Sequence, residues 1–194
     1  MNAADGEFLA EREKIQIIPN FSHDKLYLIA GDVGPFVAGL PCEVPLWLAV
    51  NLRQRGKCRL VAPSWMDPDA LTQKKEDEAQ SKVFTEMPSQ YYLAVAQLIL
   101  TTAPQDVPNS QLVKTLVKDI WDLRISKLRS SVAEFVRESG RHARLYHLTP
   151  TELNTIQPVL PAALDQLHRL SSAAVTAASG GGDASSQQHD TSVL

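Results

Sequence analysis

Between Gln111 and Ser139 the chain holds neither glycine nor proline, and this unbroken run constrains the fold more than any other feature. It begins Gln-Leu-Val-Lys-Thr-Leu-Val-Lys-Asp-Ile-Trp-Asp-Leu-Arg and predicts one long helix over residues 109–146. Followed to residue 142, such a helix is roughly 50 Å long, far beyond the ordinary globular helix of about 11 residues. A rod of that length needs partners along its whole course. Val113, Leu116, Val117, Ile120, Trp121, Leu123, Ile125, Leu128, Val132, Phe135 and Val136 recur at steps of three and four and cover more than a narrow stripe. Two surfaces therefore pack on this helix. The helix is either the centre of its own domain's core or shares its apolar surface with another protein, and periodicity alone does not separate the two.

With 194 residues, 44% of them hydrophobic and 21% charged, the chain is long enough for one domain or two small ones and is expected to be soluble and globular. A net charge of −3 gives no global argument for nucleic acid or an anionic membrane as the main partner. No apolar run approaches the roughly 20 residues of a membrane span. The opening Met-Asn-Ala-Ala-Asp-Gly-Glu lacks the regions of a targeting peptide. Cys42 and Cys58 have no Cys-x-x-Cys spacing and read as reduced thiols of an intracellular protein.

Residues 5–13 carry Phe8 and Leu9 among charges and predict a short helix or docked arm. Residues 14–19 and 25–30 are β-branched and aromatic runs separated by Asn20, Ser22 and Asp24, which predicts two neighbouring strands. Gly31-Asp32-Val33-Gly34-Pro35-Phe36 and Gly39-Leu40-Pro41 read as an irregular loop. It is not a phosphate cradle. No Lys-Ser/Thr pair follows its last glycine, no third glycine opens a helix, and Pro35 and Pro41 lack N–H donors. Pro45 suits the first position of a helix carrying Leu46, Trp47, Leu48, Val50 and Leu52, which Gly56 stops. Residues 58–62 predict a third strand. Arg53, Arg55, Lys57 and Arg59 are best read as cations at a helix end and on the solvent side of that strand.

The composition changes at Pro63, so residues 1–62 are expected to form a small β-rich domain, residues 63–174 a helical domain and residues 175–194 a disordered tail. Asp67-Pro68 predicts a capped helix over residues 69–81, mostly solvated, with Leu71 as its main apolar residue. Residues 88–102 place Tyr92, Val95, Ala96 and Ile99 on one helical face. Thr149-Pro150-Thr151-Glu152 has the form of a capping box, and Leu160, Leu164, Leu167 and Leu170 give a last amphipathic segment. The fold class expected is α+β, predominantly α.

No catalytic set assembles from the sequence. His142 and His147 are five apart, not the spacing that aligns two imidazoles for zinc, and Asp119 and Asp122 each have a cation within helical reach. No catalytic residue, metal ligand or cofactor is assigned. Across residues 113–144, Lys114, Lys118, Arg124, Lys127, Arg129, Arg137, Arg141 and Arg144 outnumber Asp119, Asp122, Glu134 and Glu138 by four. A strip of this kind can follow phosphates, so a nucleic-acid-binding adaptor is the alternative function. The cations are spread around the rod without interleaved exposed aromatics, so contact with DNA is expected to be weak or indirect.

Ile17-Ile18-Pro19-Asn20-Phe21, Gly31-Asp32-Val33-Gly34-Pro35-Phe36, Val44-Pro45-Leu46-Trp47-Leu48-Ala49, Met87-Pro88-Ser89-Gln90-Tyr91-Tyr92 and Leu116-Val117-Lys118-Asp119-Ile120-Trp121-Asp122-Leu123-Arg124 occur in this order. Together they resemble the subunit 2 family of the eukaryotic GINS complex, over about residues 8–170. The resemblance implies a small β-rich domain ahead of a helical domain and no enzymatic activity. It further implies a nuclear scaffold on replicating chromatin, joined to three sister GINS subunits and, with them, to the MCM ring ATPase and a Cdc-type helicase cofactor. Val117, Lys118, Trp121, Arg124 and Leu128 on the long helix are the candidate subunit interface. Trp121 and Leu128 fit either core or contact, and Lys118 and Arg124 bridge either to a sister subunit or to Asp122. Tyr27, Leu46, Trp47 and Val50 are the candidate core of the small domain.

Overall fold

The computed structural model describes residues 3–29, 31–137 and 146–157, together with 161, 162, 165, 166 and 169. Helix α1 (Ala3–Ala10) leads into strand β1 (Lys14–Pro19), where Ile15, Ile17 and Pro19 face inward and Lys14 and Gln16 face out, the period-2 alternation of a half-buried strand. β1 is the centre of a three-stranded antiparallel sheet between β4 (Cys42–Pro45) and β5 (Cys58–Val61), with Ile15 opposite Val44 and Ile17 opposite Leu60. A separate two-stranded ribbon joins β2 (Leu26–Leu28) to β3 (Gly31–Val33).

The two strands expected to be neighbours are therefore not paired with each other. Both edges of β1 are taken by β4 and β5, and β2 pairs instead with β3, inside the stretch read as irregular loop. Glycines hid β3: Gly31 adopts φ +128° where the ribbon turns, and Gly34 at φ +99° lies so close to Phe36 that an added Cβ would sit 3.2 Å from its ring. The Phe36 ring stacks on Phe21, with centroids 5.4 Å apart.

Helix α2 (Leu46–Gln54) starts at Pro45, which has no side chain to cap the first turn. The free N–H groups of Leu46 and Trp47 donate instead to the carbonyls of Glu13 and Glu11, which fixes α2 to the turn between α1 and β1. At the other end Gly56 takes φ +67°, its N–H bonds Arg53 O, and Lys57 N–H bonds Leu52 O, so glycine closes the helix as its position suggested.

A 3-10 turn (Ser64–Met66) precedes α3 (Pro68–Gln80), α4 (Tyr92–Thr102), α5 (Ser110–Arg137) and α6 (Pro150–Ile156). The long helix is 28 residues, roughly 42 Å at the usual rise, and residues 138–145 of the expected span lie outside the described residues. So do Leu160, Leu164, Leu167, Leu170 and the 175–194 tail. α3 packs along α5 and is less solvated than its charges suggested: Leu71 and Glu78 are buried, and Lys75 reaches Asp119 at 2.7 Å. α4 begins at Tyr92, four residues later than expected. Ser89 ends its own stretch by accepting the Tyr91 N–H on its hydroxyl and donating that hydroxyl to Glu13 Oε1 at 2.6 Å.

The core is continuous from the sheet to the bundle: Ile17, Val44, Leu46 and Leu60 meet Met66, Leu71, Tyr92, Ile99, Val113 and Ile120 in one buried cluster. Asp106, between α4 and α5, ties the parts together. Its Oδ2 accepts the Leu60 N–H at 2.9 Å and lies 2.8 Å from Arg53 Nε.

Candidate protein interface along the long helix

α5 presents two different environments. From Ser110 to Trp121, its outward residues line one wall of a cavity of about 440 Å³, and Leu93, Ala96, Gln97, Leu100 and Thr101 of α4 line the other. The stripes arise from helical spacing, since Gln111, Lys114, Lys118 and Trp121 recur at three and four on α5 while α4 repeats Leu93, Gln97 and Leu100 in the same way. Val117 is buried at the floor, Trp121 is half-buried, and Lys114 and Lys118 are exposed at the rim. A second cavity of about 510 Å³ lies across α4, bounded by Gly6, Val50, Leu98, Pro150 and Asn154. Leu93, Gln97 and Thr101 border both cavities, so α4 is a ridge between two depressions.

One turn beyond Trp121 the surroundings invert. Arg124 is wholly buried, with 0% of its surface exposed. Its guanidinium clasps Glu152 with Nε to Oε1 at 2.6 Å and Nη2 to Oε2 at 2.9 Å, a bidentate pair. Nη1 donates to Glu78 Oε2 and to Thr85 O, each at 2.9 Å, and Nη2 also donates to His147 O at 2.7 Å. These bonds use all five guanidinium N–H donors. Lys127 adds a second cation, 2.6 Å from Glu78 Oε1, and the Phe84 ring lies under both charges. Two cations thus face two carboxylates.

Burial alone would push the Glu78 carboxyl up. The hydrogen bonds from Lys127 and Thr85 and the Arg124 charge outweigh it and hold Glu78 below the ordinary carboxylate range. Burial alone would likewise lower Arg124, but its bonds to Glu152 and the charge of Glu78 raise it above the usual arginine value. Glu152 has a further duty. Its Oε2 accepts the Thr149 N–H at 2.8 Å while Thr149 Oγ1 accepts the Glu152 N–H, completing the capping box that the sequence announced. The same carboxylate therefore starts α6 and fastens it to α5.

Of the five residues expected at an interface, Val117, Lys118 and Trp121 come together in the groove. Arg124 and Leu128 do not. Arg124 is spent on Glu78 and Glu152 rather than on Asp122, because a buried guanidinium must be paired inside the fold. Leu128 is buried with Ile125 against Phe84, Val132 and Leu148. In the small unit Leu46 is fully buried, and Val50 packs partly buried against the same core. Tyr27 is a correction at 80% exposed: on a three-residue strand Leu26 and Leu28 take the inner face and the alternation puts Tyr27 outside. Trp47 is a second one at 40% exposed, since Leu46 and Ala49 occupy the inner face of α2.

Sequence reasoning did not single out Glu78, Thr85, Asp106, Leu93 or Leu100, and it named Lys127 only as part of the basic strip. Only the capping box pointed toward Glu152, and no local pattern links Glu78 to Arg124, 46 positions apart. Both cysteines are free thiols, and burial pushes Cys58 up to about 11, which keeps it protonated and unreactive. Among the described residues no group of His, Cys, Asp and Glu is arranged to hold a metal ion, and no helix is long and apolar enough to cross a membrane.

The architecture defines a class: a two-part α+β protein with a short sheet joined to a helical bundle whose long helix keeps an apolar groove open. The domain family described as "PSF2 N-terminal domain" matches residues 2–61, and that described as "GINS complex protein helical bundle domain" matches residues 65–170. The chain is similar to the human "DNA replication complex GINS protein PSF2", 52% identical over 170 residues that cover 88% of this chain and 92% of that protein. It is 47% identical over 188 residues to the Drosophila melanogaster "Probable DNA replication complex GINS protein PSF2", covering 97% and 88%. To the Xenopus laevis protein it is 49% identical over 170 residues, covering 88% and 92%. The chain belongs to the PSF2 family of GINS complex proteins.

Proposed function

We propose that this protein is a non-catalytic scaffold subunit of the heterotetrameric GINS complex, acting in the nucleus on replicating chromatin. In this reading its residues 63–174 form the helical domain that joins three sister subunits, and residues 1–62 form the small domain. The assembled complex links the MCM ring ATPase to a Cdc-type helicase cofactor during initiation and elongation of DNA replication, and ATP chemistry stays with the ring. The observation that carries the reading is the groove between α4 and α5, left open with Trp121 half-buried in a chain whose relatives are named as parts of a complex.

Expressed alone, the chain should aggregate or self-associate; expressed with three sister subunits, it should enter one soluble particle with one copy of each. A stable monomer that melts cooperatively and ignores the sister subunits sinks the proposal. Nucleic-acid binding by the basic strip is the weaker reading. Arg124 and Lys127, two of its eight cations, are consumed by Glu78 and Glu152, and Arg141 and Arg144 lie outside the described residues. Titration of labelled single and double strands near physiological salt should show no tight binding by the isolated particle.

A further inference from the structure

We infer that the groove between α4 and α5 receives an amphipathic helix of a sister subunit that carries two carboxylates one turn apart, which pair with Lys114 and Lys118. The inference rests on the scaffold reading above and adds the chemistry of the partner. The groove runs beside Ser110 to Trp121, three helical turns or roughly 16 Å, a length that suits a helix laid in a trough. Its apolar groups, Leu93, Leu100, Val117 and Trp121, lie along its two walls and floor. A helix with an apolar stripe buries them; an extended nucleic-acid backbone does not.

The charge is one-sided. Lys114 and Lys118 are four apart on α5, so both ammonium groups stand on the same rim, while α4 presents only neutral side chains to the cavity. Neither lysine makes an ion pair among the described residues. Asp119 is held by Lys75, and Asp122, one turn from Lys118, does not pair with it. An occupant with carboxylates at i and i+4, or i and i+3, on its polar edge meets both cations while its apolar edge covers Trp121. The asymmetry also fixes which way round the occupant lies, because the reversed helix would turn its carboxylates toward the neutral α4 wall.

The test uses the full chain assembled with its sister subunits. In the wild-type particle, an amine-acylating reagent should label Lys114 and Lys118 about tenfold more slowly than the exposed Lys57. Carbodiimide coupling, which joins an amine directly to a carboxylate, should link Lys114 or Lys118 to an Asp or Glu of a sister subunit. The double reversal Lys114→Glu/Lys118→Glu should weaken retention in the particle at least about tenfold, whereas Lys57→Glu should not. Labelling of both lysines at the Lys57 rate overturns the inference, as does protection that appears only when DNA is added or coupling confined to carboxylates of this chain. In each of those cases the particle has formed and the scaffold reading stands. A chain that never enters a particle removes the scaffold reading and this inference with it.

Discussion

At Trp121 and at Arg124, three residues apart on α5, the chain solves opposite problems. Around Trp121 it leaves apolar surface open to water; around Arg124 it encloses four charged side chains and satisfies every guanidinium donor internally. The difference follows from what each kind of group tolerates. Apolar surface in contact with water costs roughly 25 cal/mol per Å² and stays ready for a later partner. A guanidinium stripped of water without its carboxylates costs several kcal/mol, so it must be completed by the fold that buries it. An interface residue can wait for its partner; a buried ion pair cannot. Under the proposed function Trp121 serves assembly, whereas Arg124 serves the domain's own integrity.

Loss of Arg124 should have the largest effect. Arg124→Ala leaves Glu78 facing only Lys127 and leaves Glu152 without its cation, and should cost about 3–5 kcal/mol of domain stability. Arg124→Lys should recover little of this, because an ammonium cannot reproduce the bidentate clasp on Glu152 together with the bonds to Thr85 O and His147 O. Denaturant unfolding of the assembled particle, followed in this subunit by hydrogen exchange of α3 and α6, reads the effect. If Arg124→Ala leaves α6 as protected as in the wild type, the network is not what fastens it.

Trp121→Ala should show the reverse profile. The side chain is part-exposed although it packs against both buried clusters, so the chain's own fold should lose less than at Arg124, while the occupied groove loses an aromatic anchor, with a weakening of assembly by about 2 kcal/mol or more. Competition between wild-type and variant chains for sister subunits measures it. Equal incorporation would place the interface elsewhere on the molecule.

Acid should separate the two regions without mutation. Glu78 has a folded-state value depressed below that of the unfolded chain, so its contribution is fully present above about pH 4.3, the ordinary glutamate value, and is lost as pH falls through the depressed value. The apolar groove has no such dependence in its floor. Protection of α3 residues around Glu78 should therefore fall in acid before the sheet core around Ile17 opens, and the Glu78→Gln variant should lose this step. Simultaneous opening of both regions in wild type and variant would show that Glu78 titration is not the cause.

Much of this arrangement was legible in local pattern. A helix over residues 110–137 followed from the lack of glycine and proline, β1 from its β-branched run, the end of α2 from Gly56 and the start of α6 from Thr149 and Glu152. What escaped were contacts between distant parts of the chain. β3 is three residues long and carries glycine at its turn, so it had no strand signal of its own, and the partner of β2 was lost with it. Tyr27 looked like core by residue type, but position within a two-stranded ribbon decides its side. Arg124 looked like an exposed cation on an amphipathic rod because the carboxylates that bury it come from α3 and α6. The opening of the groove at Trp121 was half visible, as an apolar arc too wide for one neighbour, yet its α4 wall was not.

The smallest expected effect probes the boundary between capping α6 and clamping it. Thr149→Ala removes the acceptor of the Glu152 N–H bond, which at 3.4 Å is the longer half of the box, and leaves the 2.8 Å bond from Thr149 N–H to Glu152 Oε2. Loss of a hydroxyl cap costs about 1 kcal/mol, and the length of this bond puts the variant at or below that figure. Thr149→Ser should be neutral. Glu152 would still hold Arg124 by both oxygens, so α6 should fray at its first turn while remaining attached to α5. Hydrogen exchange distinguishes the outcomes: faster exchange limited to the Thr151 and Glu152 amides belongs to the cap, whereas loss of protection across α3 as well means that the cap and the Arg124 clamp are one cooperative unit.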